Sequence, residues 1–156
     1  MERRNEIMST IAIGCDPNAR SLKEAIVKHL VKLGYEFEDY GSDDPIYANT
    51  AIRVAEAVAA GRQWRGILFC GTGIGVSIAA NKVPGAYAAL VNDPYSAARA
   101  SKSNNANIIC LGAQTIGTEV AKCLVEIWLS SVYTPDGPSE PKIQRIYEYE
   151  RLHTRS

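Results

Sequence analysis

Short apolar runs alternating with longer amphipathic stretches constrain this chain more than any other feature of it. The runs IAIGC (residues 11–15), YEFEDY (35–40), GILFC (66–70), AYAAL (86–90) and NIICLG (107–112) have the length and residue types of strands. Between them, residues 22–33, 47–60, 74–81, 94–103 and 117–131 carry helical patterns. Leu22, Ile26, Leu30 and Leu33 fall on one helical face, and Gly34 stands where a helix C-cap is expected. Strand and helix in strict alternation predict a parallel sheet with right-handed crossovers and helices on both faces. The expected architecture is α/β: a Rossmann-like three-layer α/β/α sandwich around a five-stranded parallel sheet. In such folds ligands bind beyond the carboxyl ends of the strands. That rule directs attention to residues 16–20, 70–75 and 92–95.

The organisation expected is an N-terminal extension (1–10), one Rossmann-like domain (11–133), and a C-terminal turn and helix (134–156). The break near 134 rests on TPDGPSEP, whose three prolines exclude a helix interior. Residues 142–152 then read as a last helix, expected to pack on a partner subunit.

Composition excludes several functions. Seventeen basic and seventeen acidic residues leave a formal net charge of zero, which argues against a broad nucleic-acid or anionic-membrane footprint. No apolar run is long enough to span a bilayer, and the first ten residues are too polar for a secretory signal. The four cysteines, Cys15, Cys70, Cys110 and Cys123, form no CxxC pair, so no structural metal is expected and reduced thiols in a cytoplasm are the default. Cys15, Cys110 and Cys123 read as core thiols. The two histidines, His29 and His153, lie far in sequence from any Gly-rich turn.

The stretch GILFCGTGIG carries the chemistry. An apolar strand ends at Cys70, and Gly71-Thr72-Gly73-Ile74-Gly75 turns at once into a helix. Small residues let backbone approach a ligand, and free N–H groups at a helix start attract an anion. A ligand-free turn and a phosphate-binding turn fit the same pattern. Cys70 by itself reads equally as a small buried hydrophobe. It also stands where amide dipoles would stabilise a thiolate able to take a carbon-bound proton beside a carbonyl, while the same amides hold the enediolate oxygen. That chemistry needs no metal and no organic cofactor.

GILFCGTGIGVSIAANKVPG (residues 66–85) closely resembles the signature of the type B ribose-5-phosphate isomerases and the related galactose-6-phosphate isomerase subunits. IAIGCD, the Leu22-Lys23 pair, DPYSA, NNAN and LGAQTIG resemble the same family in the same order, from Ile11 to about Tyr133. The resemblance implies a Rossmann-like homodimer or tetramer with shared active sites, acting on a small phosphorylated sugar. It implies Cys70 as the proton-abstracting base, with Thr72 assisting the thiolate. Gly71, Gly73 and Gly75 would lend the turn's backbone, Asp16 would hold hydroxyls and shuttle a proton, Asn104 would stabilise developing charge, and Tyr47 would close the pocket. Residue by residue, Asp16 also reads as a helix N-cap, Asn104 as a turn residue and Tyr47 as a packing residue.

The chain departs from the family at four places. Pro17 follows Asp16 where His is usual, Ser103 replaces the ring-opening His, Gln114 replaces an Arg, and TPDGPSEPK replaces a cationic GGRHxxR stretch. Arg20, Lys142 or Arg145 is expected to meet the phosphate instead, and each also reads as a solvated surface cation. The expected activity is an aldose–ketose isomerase of the ribose 5-phosphate/ribulose 5-phosphate type. Ser103 suggests a tetrose 4-phosphate as the alternative, since a sugar whose 4-oxygen is esterified forms no five-membered ring and needs no ring opener. Two other classes fit less well: a non-catalytic subunit of a mixed isomerase, and a nucleotide-binding module, for which GTGIG lacks the required endings.

Overall fold

The computed structural model describes residues 10–154, so residues 1–9 of the extension expected over 1–10 lie outside the described residues. Five strands, β1 (Thr10–Cys15), β2 (Glu36–Asp39), β3 (Arg65–Cys70), β4 (Ala88–Leu90) and β5 (Ile108–Gly112), form one sheet in the order β2-β1-β3-β5-β4. All pairings are parallel. Thr10 belongs to β1, so the domain starts one residue before the expected boundary.

The helices are α1 (Arg20–Lys32), α2 (Tyr47–Ala59), α3 (Ile74–Ala80), α4 (Pro94–Lys102), α5 (Thr118–Ser130) and α6 (Glu140–His153). A 3-10 turn, Pro17–Ala19, precedes α1 and was not legible in the strand–helix periodicity. Helix α6 starts two residues earlier than expected. It absorbs Pro141 in its first turn, where a missing N–H costs nothing.

The alternating faces of β1, β3 and β5 build two cores. Ile11, Ile13, Phe69, Ile109 and Leu111 pack against α1, α4 and α5, with Trp128 fully buried among them. Ala12, Leu68, Cys70, Ile108 and Cys110 pack against α2 and α3. Strands buried on both faces explain why their sequences are continuously apolar rather than alternating. Cys123 corrects the expectation of three core thiols: it is exposed, because α5 turns Ala121, Leu124, Val125 and Trp128 inward.

Helix α6 lies along its own chain beside β4. Ile143 is buried, Glu150 accepts from the Gly85 N–H (3.1 Å) and the Tyr87 hydroxyl (2.5 Å), and the Tyr87 and Tyr147 rings meet at 4.9 Å. Ile146, Tyr149 and Leu152 of the same helix remain exposed.

Candidate active site

From β1 the chain crosses to β2 on one flank, and from β3 it proceeds to β4 and β5 on the other. The reversal opens a crevice at the carboxyl ends of β1 and β3, the place where open α/β sheets bind ligands. Asp16 and Cys70 flank it. Cys15 pairs with Phe69, and the Asp16 N–H donates to the Phe69 carbonyl at 3.3 Å, so Asp16 directly follows β1 beside Cys70, the last residue of β3.

Cys70 is 5% exposed, and its Sγ accepts the Gly73 N–H at 3.2 Å. The thiol therefore points into the glycine turn, and the amide dipole is aimed as needed to stabilise negative charge on sulfur. Gly73 has φ +78, a left-handed conformation that folds the turn back over the sulfur. A Cβ there would meet Leu90 Cδ1 at 2.6 Å and the Leu111 backbone at 3.0 Å. Thr72 in the same turn is exposed, and its Oγ1 accepts the Ile74 N–H at 3.3 Å.

The Tyr47 ring lies directly on Gly75: a Cβ at that glycine would fall 2.4 Å from Tyr47 Cζ. Tyr47 is 42% exposed and opens α2, so it stands over the turn with one side free. Asp44 secures that helix start by accepting from the Ile46 N–H (2.9 Å) and Asn49 Nδ2 (3.0 Å), which holds its carboxyl below the usual range. Asp16 caps the 3-10 turn, its Oδ1 accepting from the Ala19 N–H at 3.2 Å. Its second oxygen has no partner among the described residues, so the cap and the expected ligand role are compatible. Arg20 is engaged by Asp43 on the surface.

Sequence reasoning singled out Gln114 and Lys23 without assigning either a place at this edge. Gln114 reaches over Gly71, with its Oε1 3.2 Å from where a Cβ would stand. Lys23, 3% exposed, grips both Asp39 oxygens at 2.8 and 2.6 Å and ties α1 to the end of β2. The other buried thiols are inert: desolvation pushes Cys15 up to about 12 and Cys110 higher still.

Ser103 and Asn104 stand elsewhere. They follow α4 and precede β5, at the amino edge of the sheet, whereas Cys70 pairs with Gly112 at the carboxyl edge. About 13 Å of strand separates those edges, at roughly 3.3 Å per residue. Lys142 and Arg145 lie on α6, which packs at the amino edge through Tyr147, whose hydroxyl accepts from Asn105 Nδ2 at 3.3 Å. Arg145 is paired with Glu148. One chain thus brings together Asp16, Tyr47, the Cys70–Gly75 turn and Arg20. It leaves Ser103, Asn104, Lys142 and Arg145 at the opposite end.

A doubly wound sheet with a cysteine under a glycine turn at its switch point is compatible with a sugar-phosphate isomerase. The chain belongs to the Ribose/Galactose Isomerase family, whose model matches residues 11–146. It is 46% identical to the D-erythrulose-4-phosphate isomerase of Pectobacterium atrosepticum, over 94% of this chain and 99% of that protein. It is 41% identical to the ribose-5-phosphate isomerase B of Escherichia coli, over 92% of this chain and 98% of that one. The solved Clostridium thermocellum ribose-5-phosphate isomerase B superposes with a TM-score of 0.88 at 38% identity, covering 93% of this chain and 99% of its own. The sequence-based assignments of family, fold and aldose–ketose isomerase activity therefore hold.

Proposed function

We propose that Cys70 is the base of this isomerase and that the substrate is a small sugar phosphate bound between two copies of the chain. The carrying observation is the Cys70 sulfur at the switch point, held under the turn by the Gly73 N–H at 3.2 Å, with Asp16 just past the end of the adjoining strand. In the aldose-to-ketose direction the thiolate removes the C2 proton. Electrons move into the C1–C2 bond, and the enediolate oxygen charge falls to the amides of Gly71 and Gly75. The proton returns at C1, while Asp16 passes a proton from the 2-oxygen to the 1-oxygen. Substrate and product are isomers, so no external electron carrier enters the balance. Tyr47, standing on Gly75, closes the pocket over the sugar.

The opposed positions of Cys70 and Asn104 support a shared site. A partner presenting its amino edge to this carboxyl edge brings Asn104 and Ser103 to the sulfur. The exposed Ile74 and Ile78 of α3, and Ile146, Tyr149 and Leu152 of α6, supply apolar surface for a homodimer. Buried thiols fit a reducing cytoplasm.

Ser103 bears on the sugar's length. His29 sits on α1 against Glu126, and His153 is stacked on Tyr149, so neither stands beside Asn104. A pentose 5-phosphate must open its furanose ring before C2 can lose its proton. A tetrose 4-phosphate has no such ring. We therefore place D-erythrulose 4-phosphate and D-erythrose 4-phosphate ahead of the ribose 5-phosphate pair. Turnover of the purified chain on both substrates tests this, with Cys70→Ala beside it. A kcat/KM at least tenfold higher for the tetrose, abolished in the variant, is expected. Faster turnover of the pentose overturns the tetrose reading, and activity retained by Cys70→Ala overturns the base.

A further inference from the structure

At the amino edge, next to Asn104, a cleft of about 330 Å³ is lined by Arg99, Lys102, Ser103, Thr134, Gly137, Pro138 and Ser139. Two cations and three hydroxyls face one space. Arg99 and Lys102 form no ion pair with any carboxylate among the described residues, whereas Arg20, Lys23, Lys122 and Arg145 each do. The cleft joins the end of α4 to the Pro-rich segment that follows α5.

These walls are held firmly. Arg65, 7% exposed at the start of β3, donates to the Trp128 carbonyl (2.6 Å), Ser101 Oγ (2.7 Å) and the Ser131 carbonyl (3.1 Å). Its guanidinium lies between the Trp64 and Trp128 rings, 4.4 and 4.7 Å from their centroids. Ser101 donates in turn to the Ser131 carbonyl at 2.8 Å. This buried clamp fixes the last turn of α4, which carries Arg99 and Lys102 and is capped by Ser103, against the end of α5, from which the opposite wall departs. Burial lowers the Arg65 pKa to about 10, so the clamp stays charged at neutral pH.

We infer that Arg99 and Lys102, with the hydroxyls of Ser103 and Ser139, bind the phosphate of the sugar whose reacting carbons lie over the partner's Cys70. The assignment rests on the shared-site reading above. It differs from the sequence expectation, which gave the phosphate to Arg20, Lys142 or Arg145. Arg20 and Arg145 are already engaged by Asp43 and Glu148. Arg99 brings a planar fork and Lys102 a mobile point charge, a combination suited to a phosphate dianion. Cations in the last turn of α4 also complement its helix dipole. A purely dipolar role would change stability and leave phosphate affinity untouched.

The test uses the full chain, Arg99→Gln, Lys102→Gln, the double variant, and Lys28→Gln on α1 as control. KM for erythrulose 4-phosphate and competitive inhibition by inorganic phosphate are measured, together with the phosphate-dependent rise in melting temperature. Each single variant is expected to raise KM and weaken phosphate inhibition by roughly tenfold or more, the scale of a hydrogen bond to a charged group. Lys28→Gln should change neither. A double variant with unchanged KM and unchanged phosphate inhibition, still active, overturns this site and leaves the isomerase reading standing. If the native chain turns over no sugar phosphate, the isomerase reading falls. The melting shift then decides the site alone: lost in the double variant it supports phosphate binding here, and retained it refutes it.

Discussion

Gly73→Ala is the sharpest perturbation of the turn over Cys70, because two independent costs meet at one atom. The native φ of +78 is left-handed, which costs an L-residue about 1–2 kcal/mol. The new methyl would also meet Leu90 Cδ1 at 2.6 Å and the Leu111 carbonyl carbon and nitrogen at 3.0 and 3.2 Å. Leu90 can rotate, but the β5 backbone is pinned by its pairing with β3, so overpacking adds about 1–3 kcal/mol. If the turn holds its place, the sum of about 2–5 kcal/mol lowers the melting temperature by roughly 4–20 °C for a chain of this size. If the turn moves out to relieve the contact, the Gly73 N–H leaves the sulfur, and a displacement near 1 Å costs on the order of 10² in rate. Thermal melting and steady-state kcat/KM on erythrulose 4-phosphate read the two alternatives. Gly117→Ala is the matched control, with φ −80 and no atom within 4 Å of the added methyl. A Gly73→Ala enzyme with both native melting and native kcat/KM would refute the account of the turn.

Two further outcomes follow from the same geometry. Mixing inactive Cys70→Ala and Asn104→Ala chains under refolding conditions should restore activity, since a mixed dimer holds one site with both residues intact; no recovery would place the two residues in separate functions. Iodoacetamide at pH 8 on the native chain should modify Cys123 and spare Cys15 and Cys110: burial raises the pKa of Cys15 to about 12 and of Cys110 beyond it, and their thiolates form only as pH climbs toward those values. Peptide mass mapping reads this directly, and early labelling of Cys15 would contradict its burial.

The strand and helix pattern of this chain was legible because local rules and global fold agree. Each strand of the sheet centre is apolar on both faces, Gly34 takes φ +89 at the end of α1, and Asp93 and Pro94 start α4 with the Asp93 carboxylate capping the Ser96 N–H at 2.8 Å. The GTGIG turn announced its own conformation, because a close backbone approach requires glycine. Periodicity gave no hint of the 3-10 turn at Pro17, whereas Ala121, Leu124, Val125 and Trp128 at helical spacing already place Cys123 off the apolar face of α5.

Sequence by itself determined the family, the parallel sheet and the sulfur at the end of its third strand, because these depend on patterns contained in single elements. Tertiary structure decided what stands beside what. It set Tyr47 on Gly75 and clamped α4 to the end of α5 through Arg65. It also separated Asn104 from Cys70 by the length of a strand. Such distances arise only when segments remote in sequence pack, and a linear pattern holds no record of them.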